Sequence, residues 1–91
     1  MWEKYDREQE NPAIIKDEEY KKQTRITIYR SEDIAPFEIV CGIYGLMFHT
    51  VFAKDITEAL NKYEGMRLDL QKFVDSDLDE KEFCHSFIDK W

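Results

Sequence analysis

Cysteine, proline and glycine are all scarce in this chain of 91 residues, which holds two, two and three of them. Cys41 and Cys84 are too few and too far apart for the disulfide framework of a small secreted domain, which points to a reducing cytoplasm. Three glycines leave no glycine-rich loop of the kind that cradles phosphate on bare backbone N–H groups. A long apolar run is also missing. The least charged stretch, residues 36–53, still contains Glu38, His49, Gly42 and Gly45 and is rich in strand formers, which opposes a membrane span. The first ten residues lack the apolar segment of a signal peptide. Basic residues are outnumbered, 13 against 20 acidic ones, so the formal charge is −7. Such a surface disfavours nucleic acid and anionic membranes as partners, and suits a basic protein or simple solubility.

With charge crowded into the flanks, the core-forming material lies in one block. Residues 24–30 alternate Ile26 and Ile28 with Arg25, Thr27 and Tyr29, the period of a half-buried strand. Ser31, Glu32, Asp33 and Pro36 suit a connection. The block that follows is too long for one strand and too rich in β-branched and aromatic residues for a helix. It is expected to form a hairpin with strands over 37–42 and 46–53. A type I turn over Ile43 and Tyr44 would leave Gly45 left-handed in a bulge and spare Tyr44 a positive φ. Phe37, Ile39 and Cys41 then share a face with Met47, His49 and Val51. Val40, Leu46, Phe48 and Phe52 line the other face with Glu38 and Thr50, so neither face is uniformly polar.

Ile56, Ala59, Leu60, Tyr63, Met66, Leu70, Phe73 and Val74 recur at helical spacing and predict a helix over 56–74. Asp55 with Glu58 makes a capping box at its start. Gly65 in mid-helix costs about 1 kcal/mol relative to alanine and leaves room for something to approach. Leu68 falls off the apolar stripe. A second helix over 80–91 is expected to start from Asp79 and Glu82, and to bury Phe83, Phe87, Ile88 and Trp91. Residues 1–23 read as an N-terminal arm or helix, with Asn11 and Pro12 as a cap and first turn. Trp2 and Tyr5 are expected to dock on the domain or on a neighbouring subunit.

The order of a possible helix, three strands and a helix resembles double-stranded RNA-binding domains, across most of the chain. The lysine cluster such domains use on phosphates has no counterpart in Lys54, Asp55, Ile56, Thr57 and Glu58. Asp75, Asp77 and Asp79 resemble the opening of a calcium-binding EF-hand loop, but that pattern then requires glycine at Glu80 and a bidentate glutamate at Ser86. Cys41, His49, Cys84 and His85 lack the close cysteine pair of structural zinc sites. Cys41 and His49 could share a hairpin face as nucleophile and base, although such a face more often buries a small thiol and an imidazole.

The expectation is therefore a single α+β domain of residues 1–91. It has a three-stranded antiparallel sheet over 24–30, 37–42 and 46–53, packed by one long and one short helix. One helix pair covers one sheet face, so the other is expected to expose an apolar patch larger than monomers usually carry. The function expected is protein–protein interaction, with self-association as a homodimer. The interaction surface is drawn from Trp2, Tyr5, Val40, Leu46, Phe48, Phe52 and Leu68. The alternatives are a small-ligand or enzymatic pocket near the hairpin, using Cys41, Tyr44 and His49, or an inhibitor or immunity-type protein binding a basic partner. Catalysis is the less supported of these, and no cofactor is expected.

Overall fold

The computed structural model describes residues 2–4, 13–31 and 35–91. Five antiparallel strands follow one another across a single sheet: β1 Trp2–Lys4, β2 Ile14–Tyr20, β3 Thr24–Arg30, β4 Phe37–Ile43 and β5 Met47–Ala53. Two helices follow, α1 Ile56–Val74 and α2 Glu80–Lys90. The α+β class holds, but the sheet has five strands rather than three. The N-terminal region supplies the two extra strands instead of an arm or helix. The proposed cap at Asn11 and Pro12, the position of Tyr5, and Glu32 and Asp33 in the connection lie outside the described residues.

β2 escapes a periodicity reading because its helix-facing positions are Lys16, Glu18 and Tyr20, so apolar residues do not alternate along it. These polar groups find partners on α1. The Tyr63 hydroxyl donates to Glu18 Oε1, and the Lys16 ammonium sits 5.0 Å from the centre of the Tyr63 ring. Arg67 approaches Glu18 at 3.8 Å. Burial, then the Glu18 carboxylate, push the Tyr63 hydroxyl pKa well up. The turn from β2 into β3 is equally concealed. Lys21 and Lys22 both take positive φ, 51° and 56°, without the glycine or asparagine usual there. Asp75 holds this corner from α1, accepting from the Tyr20 hydroxyl and the Lys21 ammonium at 2.7 Å each.

The hairpin forms, but its turn is centred on Tyr44 and Gly45, one residue later than expected, so β4 runs on to Ile43 and β5 starts at Met47. Gly45 takes φ 75°, and the Leu46 N–H donates to the Ile43 carbonyl at 2.9 Å. Cys41 pairs with His49 and Ile39 with Val51, so the two face lists hold along β4 and β5, with Leu46 left in the turn. α1 starts where Asp55 accepts from the Glu58 N–H at 2.8 Å, and α2 where Asp79 accepts from the Glu82 N–H at 2.9 Å. Each such cap contributes about 1 kcal/mol.

The core lies between one sheet face and α1. Ile26, Ile28, Ile39, Cys41 and Val51 meet Ala59, Tyr63, Met66 and Leu70, with Phe87 of α2 closing one side. Each large side chain so buried contributes about 1.5–3 kcal/mol. Ile56, Leu60 and Ile88, expected in the buried stripes, are each about two-fifths exposed. They sit at the margins of the helix faces rather than over the sheet. A ladder of rings, Phe73 to Phe83 at 4.5 Å and Phe83 to Phe87 at 5.5 Å, joins the helices. No described helix is long and apolar enough to cross a membrane.

Candidate interaction surface

The sheet face turned away from the helices divides into two halves. On β2 and β3 it is polar: Arg25 grips the Asp17 carboxylate through Nε at 2.9 Å and Nη2 at 2.6 Å, and the Thr27 hydroxyl donates to Asp17 at 2.9 Å. Asp17 and Thr27 are buried, and a two-pronged guanidinium contact is the geometry in which a desolvated carboxylate is well compensated. On β4 and β5 the same face is apolar, carrying Val40, Phe48 and Phe52 with Thr50 and Glu38 between them.

The apolar half is open to solvent. Phe48 is 77% exposed, Tyr44 51%, Phe52 41% and Leu46 38%. Gly42 lies directly opposite Phe48, and a Cβ there would stand 3.2 Å from the Met47 carbonyl oxygen and 3.4 Å from Phe48 Cβ. The missing side chain contributes to a shallow depression of about 310 Å³, lined by Arg25, Thr27, Tyr29, Val40, Tyr44 and Phe48 among others. The Tyr44 hydroxyl donates to Glu19, which ties the turn to the polar half.

This half ends at β5, an edge of the sheet. Among the described residues, no strand pairs with the outer side of β5. Its seven residues, Met47–Ala53, contain no proline and no formal charge. Proteins commonly blunt an open edge by shortness, lysine or proline. The opposite edge, β1, is three residues long and carries Glu3 and Lys4. On β5, the Lys62 ammonium donates to the Phe52 carbonyl at 3.0 Å, which marks that carbonyl as directed off the sheet. Backbone groups alternate direction along an antiparallel strand, so Phe48 and Thr50 also point theirs outward.

The sequence-derived surface residues are thus separated by the fold. Val40, Phe48 and Phe52 stand on the open face, whereas Leu46 stays in the turn, beside the depression that Phe73 and Glu80 also line. Trp2 sits apart, against its own subunit: its indole N–H donates to Gln71 at 3.0 Å, and its ring lies 5.1 Å from that of Tyr20. Leu68, 52% exposed, is on α1 and far from the open face in the layer order. Tyr44 joins the cluster, having been assigned only to a turn and a possible pocket by the sequence. Its place was legible in the hairpin reading, since a residue at the tip between two apolar strands is exposed whatever the register.

Cys41 and His49 are cross-strand partners on the helix-facing side. Burial pushes the Cys41 thiol up to about 12, so at neutral pH it is a protonated, apolar-like group rather than a nucleophile. The His49 ring meets the edge of Phe87 at 6.2 Å, and its Nε2 has no hydrogen-bond partner among the described residues. Neither the depression on the open face nor a second one beside the turn, lined by Lys22, Leu46, Phe73 and Glu80, includes His49. Asp75 and Asp79 serve the helix ends, with Asp75 engaged by Tyr20 and Lys21 and Asp79 capping α2. No protein-family model, curated protein or solved structure matches the chain.

Proposed function

We propose that this chain is an interaction module that works by binding, and that its partner is a second copy of itself. One observation carries the reading: Phe48 and Phe52 stand exposed on the open face, with Tyr44 and Leu46 exposed in the adjoining turn, beside a long sheet edge without charged residues. Large apolar side chains exposed on one side of a sheet mark an interaction site more often than scattered leucines do. The remaining surface is acidic, at −7 overall, so two copies meet most favourably along the strip that carries no charge. Both thiols are free, consistent with a reducing cytoplasm as the place of action.

Sedimentation velocity across the micromolar range tests this. The chain is expected to move from monomer to dimer as concentration rises, while Phe48→Asp stays monomeric with unchanged thermal stability, because Phe48 contributes little to the core. A strict monomer throughout that range would refute self-association.

A further inference from the structure

We infer that two copies join through β5 itself, in antiparallel register about a two-fold axis through Thr50, making one continuous sheet of both subunits. This rests on the self-association reading and specifies its geometry. The outward-pointing backbone groups of β5 belong to Phe48, Thr50 and Phe52, as the Lys62 contact to the Phe52 carbonyl and the alternation of the strand require. These three residues are spaced symmetrically about Thr50. Setting Thr50 opposite its own copy therefore places Phe48 opposite Phe52 of the second copy at both ends of the strand. Every outward N–H then meets an outward carbonyl.

The side chains agree with the backbone. Phe48, Thr50 and Phe52 all stand on the open face, so the pairing creates two cross-strand aromatic pairs flanking a threonine pair. The helix-facing row sets His49 against Val51 of the second copy. The paired residues Met47–Ala53 themselves carry no formal charge, although the Lys62 ammonium lies against the Phe52 carbonyl. Strand pairing alone buries less surface than a standard interface of about 1,600 Å², so the dimer is expected to be weak, with micromolar dissociation. Its affinity should rise with salt, because two acidic chains repel and the repulsion is screened. Lys62 works against pairing, since its ammonium must release the Phe52 carbonyl to the incoming N–H. Lys62→Met is expected to tighten the dimer by about tenfold, there being two such contacts per pair.

Two variants test the register. Residues facing each other in a hydrogen-bonded antiparallel pair have Cα atoms about 5.5 Å apart, within disulfide reach. In a Cys84→Ser background, Thr50→Cys should cross-link to itself on mild oxidation. Phe48→Cys alone should not, its copies lying four residues apart along the strand. Thr50→Pro removes an outward N–H without touching the β4 ladder, so it should keep the circular dichroism and melting of the parent yet sediment as a monomer. A dimer that survives Thr50→Pro and gives no Thr50→Cys cross-link overturns the strand pairing while leaving self-association intact. A parent chain monomeric at every concentration overturns both.

Discussion

Substituting alanine for the mid-helix Gly65 should reverse the usual sign of that change. In an exposed helix interior, Gly→Ala stabilises by about 1 kcal/mol. Here the new Cβ would stand 2.6 Å from Trp91 Cη2 and 2.9 Å from Cζ2, so the indole must leave its seat. The ring is half-buried, and its indole N–H donates to Asp69 Oδ2 at 3.1 Å. Roughly 80 Å² of apolar contact represents about 2 kcal/mol. The hydrogen bond to a charged group adds about 1 kcal/mol, and freeing the side chain returns a similar amount. Displacing Trp91 therefore costs about 2 kcal/mol and Gly65→Ala should destabilise by about 1 kcal/mol net. In a Trp91→Ala background the obstacle is gone, and Gly65→Ala should stabilise by about 1 kcal/mol. Urea denaturation of the four proteins, followed by far-ultraviolet circular dichroism, closes the double-mutant cycle at a coupling of about 2 kcal/mol. A gain of about 1 kcal/mol in both backgrounds would refute the contact.

Lys22→Gly at the β2–β3 turn should raise stability by about 1 kcal/mol in the same assay, since Lys22 is exposed and held at positive φ. Thiol titration with a disulfide reagent should modify the half-exposed Cys84 in the native protein, faster as pH rises, because burial and the nearby Glu80 raise its pKa. Cys41 should react only on unfolding, its thiol being held up to about 12 by burial. Asp75 is held below its ordinary value of 3.8 by hydrogen bonds from Lys21 and Tyr20. A depressed carboxylate contributes stability above its unfolded pKa and loses that contribution as pH falls through the folded value. The stability difference between the parent and Asp75→Asn should thus be full at neutral pH and shrink below about pH 4 as the carboxylate protonates; a difference independent of pH down to acid denaturation would dismiss the ionic role of that corner.

What could be read along the chain follows from how local each signal is. The β4–β5 hairpin, its left-handed Gly45 and both aspartate caps depend on residues within a few positions of one another, and each stands within one residue of where spacing places it. The open space at Gly65 was visible as a missing side chain, but Trp91 as its occupant required the two helices to fold back on each other. β2 was concealed because its inward Lys16 and Glu18 are polar and are satisfied only by the distant Tyr63 and Arg67, and β1 because three residues are too few to show a period, its Trp2 being held by the distant Gln71. The interaction surface divides the same way. Alternation along residues 46–53 puts Phe48 and Phe52 on one face, while the status of that strand as an edge depends on strand order. The polar half of the open face, built when Arg25 and Thr27 converge on Asp17, has no signature in linear spacing either.

The short, charged strand at the far side of the sheet bears on how large any assembly grows. A sheet with two receptive edges can add copies without limit, in the manner of a fibril. On the proposed pairing β5 is the receptive edge, and among the described residues β1 offers three, two of them the charged Glu3 and Lys4. Pairing β5 with its own copy uses the same patch on both subunits, and an isologous contact of that kind closes on itself. Glu3 and Lys4, remote from the proposed interface, would thus set its stoichiometry at two.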